Sequence, residues 1–106
     1  MVAPRQFDVF ANPGARGKRE RPYLIVLQSG AMEHLRTRVI APLIADPHFK
    51  PVARLNPELR VGETKVYFHP SELAHIPVAL LRKPVTNLEN ERDRLIAAID
   101  LVFTGI

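Results

Sequence analysis

The chain has 106 residues, enough for one hydrophobic core, and a single domain over 1–106 is expected. Its 46% hydrophobic and 25% charged residues argue against disorder, and the lack of cysteine excludes disulfides and thiolate metal sites. Fifteen Lys and Arg against 11 Asp and Glu give a net charge of +4, which permits an acidic partner but is too small to indicate nucleic-acid binding.

Gln6 to Phe10 alternates polar and apolar residues and predicts a first strand. Asn12-Pro13-Gly14 breaks it and opens a loop carrying Arg16, Lys18, Arg19 and Arg21. Tyr23 to Leu27 is a short apolar run of strand length, expected to be central and buried on both faces. Val39 to Ile44 predicts a third strand, with Pro42 at an edge or a bulge because it donates no hydrogen bond. Val52–Leu55, Leu59–Val61 and Thr64–Phe68 are further strands, the last two joined by a Gly62-Glu63 turn. Ser71 is placed to cap a short helix, Ser71–Ala74, that Pro77 would stop. Val78–Leu81 is the last predicted strand. Thr86, with Glu89 three residues on, has the pattern of a capping box and starts a terminal helix. Its apolar residues Leu95, Ile96, Ile99, Val102, Phe103 and Ile106 fall on one face of a 3.6-residue repeat. The expected fold is mainly β, a small antiparallel barrel closed by a C-terminal α-helix.

Sequence patterns for phosphate loops, dinucleotide folds and zinc proteases are absent, and no nucleophile elbow surrounds Ser29 or Ser71. The four histidines, His34, His48, His69 and His75, have no ligand spacing on one element, so neither a metal nor a cofactor is expected, nor catalysis. No apolar run reaches membrane-spanning length and the first residues lack the apolar core of a signal peptide, so a soluble, cytoplasmic protein is expected. Residues 89–94, Glu-Asn-Glu-Arg-Asp-Arg, form a solvated helix face whose charges complement the dipole.

With these blocks in order the chain resembles the CcdB family of plasmid-addiction toxins. The resemblance runs from Gln6-Phe7-Asp8-Val9-Phe10 through Val26-Leu27-Gln28-Ser29, Ile40-Ala41-Pro42-Leu43, Val61-Gly62-Glu63 and Ala74-His75-Ile76-Pro77-Val78. It closes on Ile99-Asp100-Leu101-Val102-Phe103-Thr104-Gly105-Ile106. It implies an SH3-like barrel with a C-terminal helix, working as a homodimer without a catalytic site. Such toxins bind the A subunit of DNA gyrase and trap its cleaved DNA complex. A CcdA-like antitoxin neutralises them through a disordered segment, and the pair represses its own operon, with the antitoxin contacting operator DNA.

Carried over residue by residue, the gyrase-facing surface would comprise Phe103, Gly105 and Ile106, joined by Ser29, Ala31 and Met32, with Gln6 and Phe7 beneath. The resemblance also places Arg16, Lys18, Arg19 and Arg21 on the antitoxin-binding surface, where they would meet an acidic tail. Two positions depart from the family. Thr104 stands where well-known members carry a tryptophan that stacks on a gyrase arginine, and Asp100 replaces an asparagine. Loss of such an aromatic anchor typically costs ~2 kcal/mol or more. Two other readings therefore remain open: a non-toxic protein of the same fold that only engages antitoxin, and an endoribonuclease of the MazF and Kid type, for which no acid–base pair stands out.

Overall fold

Five strands fall where alternation and apolar runs place them. In the computed structural model, which describes residues 3–14 and 17–105, these are β1 (Asp8–Ala11), β2 (Tyr23–Val26), β3 (Thr37–Ile44), β4 (Glu58–Val61) and β5 (Thr64–Phe68). Two more, β6 (Ala74–Pro77) and β7 (Thr86–Asn87), complete an antiparallel sheet ordered β4-β5-β3-β2-β1-β7, with β6 also paired to β3. The sheet curls into a nearly closed barrel, and the C-terminal helix α1 (Arg92–Thr104) lies against it, as expected for the fold class.

β2 is buried on both faces. Ile25 joins the main core with Val9, Leu43, Leu59, Val66, Phe68 and the helix residues Leu95 and Ala98. Its neighbours Leu24 and Val26 point the other way, into a smaller cluster with Phe10, Ile40 and Leu81.

The eight-residue β3 is the strand on which the sheet turns. One side pairs with β2 from Tyr23↔Leu43 to Val26↔Ile40. The other side is divided between β6, at Thr37 to Ile40, and β5, at Leu43 and Ile44. Pro42 sits where the second partner changes, not at an edge. Leu27 N–H donates to Val39 O, which sets the register so that the nitrogen of Pro42 faces away from β2, into the gap between β6 and β5. A missing donor costs nothing there, and the Pro42 carbonyl on the same side still accepts from His69 N–H at 3.1 Å.

Four expected elements differ. Val52–Leu55 is a turn rather than a strand: the buried Asn56 side chain accepts from Val52 N–H and donates to Phe68 O, and Arg54 takes a left-handed φ of 70°. The expected helix at Ser71–Ala74 shrinks to one 3-10 turn over Pro70–Glu72, preceded by His69 and without a side-chain cap. The chain then extends into β6, because Ala74 to Pro77 find backbone partners on β3. Val78–Leu80 is a 3-10 turn instead of a strand, tied by Val78 N–H to Arg36 O at 2.8 Å. Thr86 does not cap the helix because it is already paired with Val9 in the sheet. Asn87 Oδ1 accepts from Glu89 N–H, a 3-10 turn covers Glu89–Glu91, and α1 begins at Arg92.

Leu95 is fully buried where helix meets sheet. Leu95→Ala is expected to destabilise the protein by about 2–5 kcal/mol, read as a lower urea midpoint. A change below about 1 kcal/mol would mean that the helix packs on the barrel less tightly than described.

Candidate partner-binding site

Arg38 is the first residue of β3 whose side chain points inward, and it is the feature that sequence reasoning missed. It shares parity with Ile40, whereas Val39 faces out. At 2% exposure its guanidinium meets no carboxylate among the described residues; it donates to four backbone carbonyls instead. Nε reaches Pro4 O at 3.1 Å, and the two terminal nitrogens reach Leu35 O (2.7 Å), Thr37 O (3.0 Å) and Glu33 O (2.9 Å). The Gln28 side chain adds donations to Met32 O (3.1 Å) and Thr37 O (3.4 Å), and accepts from Val39 N–H. The segment between β2 and β3 is thus held by its carbonyls from beneath.

The same segment carries three residues of the expected gyrase-facing surface. Ser29 Oγ accepts from Ala31 N–H at 3.2 Å and caps a single 3-10 turn, Gly30–Met32. Ala31 and Met32 are exposed, Met32 at 43%. Leu35, outside the expected set, is equally exposed at 43%.

Gln6 and Phe7 lie next to this segment. A cleft of about 210 Å³ runs between Gln6, Phe7, Gly30, Glu33 and Arg92. Gln6 bridges it, donating to Leu27 O and accepting from the Arg92 guanidinium at 3.1 Å. Phe7 is a core residue at its floor, almost fully buried, with the Arg92 guanidinium 5.8 Å from its ring centre. Its φ of 68° is left-handed, held by Phe7 N–H to Val26 O and Leu88 N–H to Phe7 O. Phe7 shapes the cleft and offers little surface to a partner.

Asp100, Phe103, Thr104 and Gly105 form a separate group at the other end of α1. Twelve residues of rise separate Thr104 from Arg92, about 18 Å along the axis. Phe103 is 67% exposed, the most exposed large apolar side chain described. Thr104 Oγ1 donates to Asp100 O at 2.7 Å, so its hydroxyl is spent on its own helix. Gly105 ends the helix with φ 74°, its N–H bonded to Leu101 O, and a conformation of this kind suits glycine. The structure therefore joins Gln6 and Phe7 to Gly30 of the Ser29–Met32 segment at one cleft. Ile106, like Arg16 of the basic loop, lies outside the described residues.

Of the other loop cations, Lys18 and Arg19 are exposed. Arg21 is engaged: its guanidinium makes two hydrogen bonds to Glu72, at 2.8 and 2.9 Å, across 51 residues of chain. This pair ties the basic loop to the turn before β6.

A family model described as CcdB protein matches residues 6–105. The chain belongs to the CcdB family. It is, in general terms, a toxin of a toxin–antitoxin system. No curated protein is significantly similar to this CcdB-family chain. Among its described residues no three metal-ligating side chains cluster, and no helix is long and apolar enough to cross a membrane.

The Arg21 hydrogen bonds, reinforced by Coulombic attraction, hold the Glu72 carboxyl below its usual range and raise the Arg21 guanidinium. A depressed carboxyl stabilises the fold above its unfolded pKa, roughly 4, and loses that contribution as pH falls through the folded value. The side chains are 38% and 42% exposed, so solvent screening limits the contribution to less than about 1 kcal/mol. Glu72→Gln should lower the urea midpoint slightly at pH 7, and the gap should close on acidification toward pH 2. An unchanged gap across that range would show that the pair does not act through its charge.

Proposed function

We propose that this protein binds the A subunit of DNA gyrase and traps its cleaved DNA complex, acting by association rather than catalysis. The observation that carries this reading is the end of α1: Phe103 stands exposed on the last turn, and Gly105 turns the chain left-handed immediately beyond it. Family membership supports placing the target contact there. In this reading the toxin is a cytoplasmic homodimer. Pairing two copies gives each partner surface two exposed helix ends, matching a two-fold symmetric target. A CcdA-like antitoxin covers the basic loop, and the pair represses its operon through the antitoxin's own contacts with operator DNA.

One observation favours a second reading, in which the protein engages antitoxin but spares gyrase. Thr104 replaces the family's aromatic ring, and its hydroxyl is already bonded to Asp100 O. A gyrase cleavage assay with wild type and Thr104→Trp side by side separates the two. Double-strand breaks with wild type are expected if the target contact survives the loss of roughly 2 kcal/mol that an aromatic anchor provides. Breaks with Thr104→Trp alone favour the second reading, and none with either overturns the gyrase assignment.

The antitoxin contact makes its own prediction. Lys18 and Arg19 are exposed, whereas Arg21 is held by Glu72. The double variant Lys18→Glu, Arg19→Glu should therefore slow association with an acidic antitoxin segment by about tenfold at low salt, by loss of electrostatic steering. The difference should fade at high salt. Equal rates at low salt would remove the basic loop from the antitoxin surface.

A further inference from the structure

The buried cation under the β2–β3 segment does more than fill space. A guanidinium taken out of water needs hydrogen-bond partners, and here each of its three nitrogens finds them in backbone carbonyls, four in all. Three of those carbonyls, from Glu33, Leu35 and Thr37, come from the single stretch that leads into β3. Gln28, also buried, takes the carbonyls of Met32 and Thr37. With its carbonyls turned inward, the segment satisfies its polar backbone from within and leaves Met32 and Leu35 outside, both 43% exposed. Apolar side chains on a backbone this constrained are preorganised for contact, so a partner need not order them on binding.

We infer that Arg38 is a positioning residue for partner recognition: its guanidinium fixes the Ser29–Thr37 segment so that Met32 and Leu35 form an apolar contact patch on the gyrase-facing surface. The inference rests on the gyrase reading above and extends it in two ways. It assigns a role to a buried residue that touches no partner, and it adds Leu35 to the contact set. Arg38 and not Gln28 is the controlling group because it alone ties the segment to the N-terminal stretch, through Pro4 O. A lysine there would keep the charge but not the planar fork that reaches three directions at once.

The test uses the full-length chain with Arg38→Lys, Arg38→Met and Leu35→Ser, read by amide hydrogen exchange and by affinity for purified gyrase A subunit. In wild type the Glu33 and Leu35 amides are bonded to Gly30 O and Met32 O. In Arg38→Lys these amides should exchange about tenfold faster while those of β4 and β5 hold, and affinity should fall about tenfold as the competent fraction of the segment drops. Arg38→Met should be worse on both counts, with the conservative variant recovering part of the loss. Leu35→Ser should weaken binding with the exchange pattern unchanged, which separates contact from positioning. Wild-type affinity in a folded Arg38 variant, or unaltered exchange at Glu33 and Leu35, would overturn the inference. So would global unfolding of both Arg38 variants, since the residue would then be a determinant of the fold as a whole. If the wild type fails to bind gyrase A, the gyrase reading falls and takes the partner role with it; the exchange measurements still decide whether Arg38 holds the segment.

Discussion

A charged side chain placed inside a small barrel constrains everything it touches. Arg38 enters the interior from the second residue of β3, and its donors are met by carbonyls from Pro4, Glu33, Leu35 and Thr37. Leaving one buried donor unmatched costs roughly 1–3 kcal/mol, more for a charged group. The surrounding backbone therefore has few alternatives to the conformation it adopts. β3 is suited to carry such a residue because it has partners on both sides along most of its length, β2 on one and β6 then β5 on the other. The cation anchors the start of that strand to the N-terminal stretch, and the sheet anchors the cation.

The same geometry explains what could be read from the sequence. Apolar runs and alternation found β1 to β5, since each of those strands has at least one face in the core and the pattern records it. Val52–Leu55 has strand-like composition, yet Val52 lies at the surface because the Asn56 side chain closes a turn there. Nothing local to residues 52–55 announces an asparagine that reaches Phe68 O. Thr86 and Glu89 have the spacing of a capping box, but β1 claims Thr86 through a backbone pair with Val9. Both departures involve partners distant in sequence, Phe68 for the Asn56 turn and Val9 for Thr86, to which a local pattern is blind.

The candidate site was legible to a similar degree. The helix end and the basic loop could be named from residue type, and the resemblance supplied the roles proposed for them. Pairing could not. Arg21 looks like its neighbours in a run of cations, but Glu72, 51 residues on, removes it from the free charge of the loop. Phe7, expected beneath the contact surface, is a core residue. Arg38 carried a faint signal, since its parity matches Ile40 and Ile44, which are buried. An arginine on the inward face of a strand is rare enough to mark a site where charge is held by backbone.

The two ends of α1 differ in how firmly they are held, and the difference bears on recognition. At the N-terminal end Arg92 bonds to Gln6, Arg94 reaches Glu91 and Glu58 O, and Leu95 is buried a turn later. At the C-terminal end the last turn carries no basic residue, and the negative Asp100 lies close to the negative pole of the helix. Among the described residues the Gly105 and Thr104 bonds close the last turn, with Phe103 exposed beside them. Among the described residues the first turn is thus tied to the barrel by side chains, whereas the last turn presents an exposed ring two residues before the left-handed Gly105.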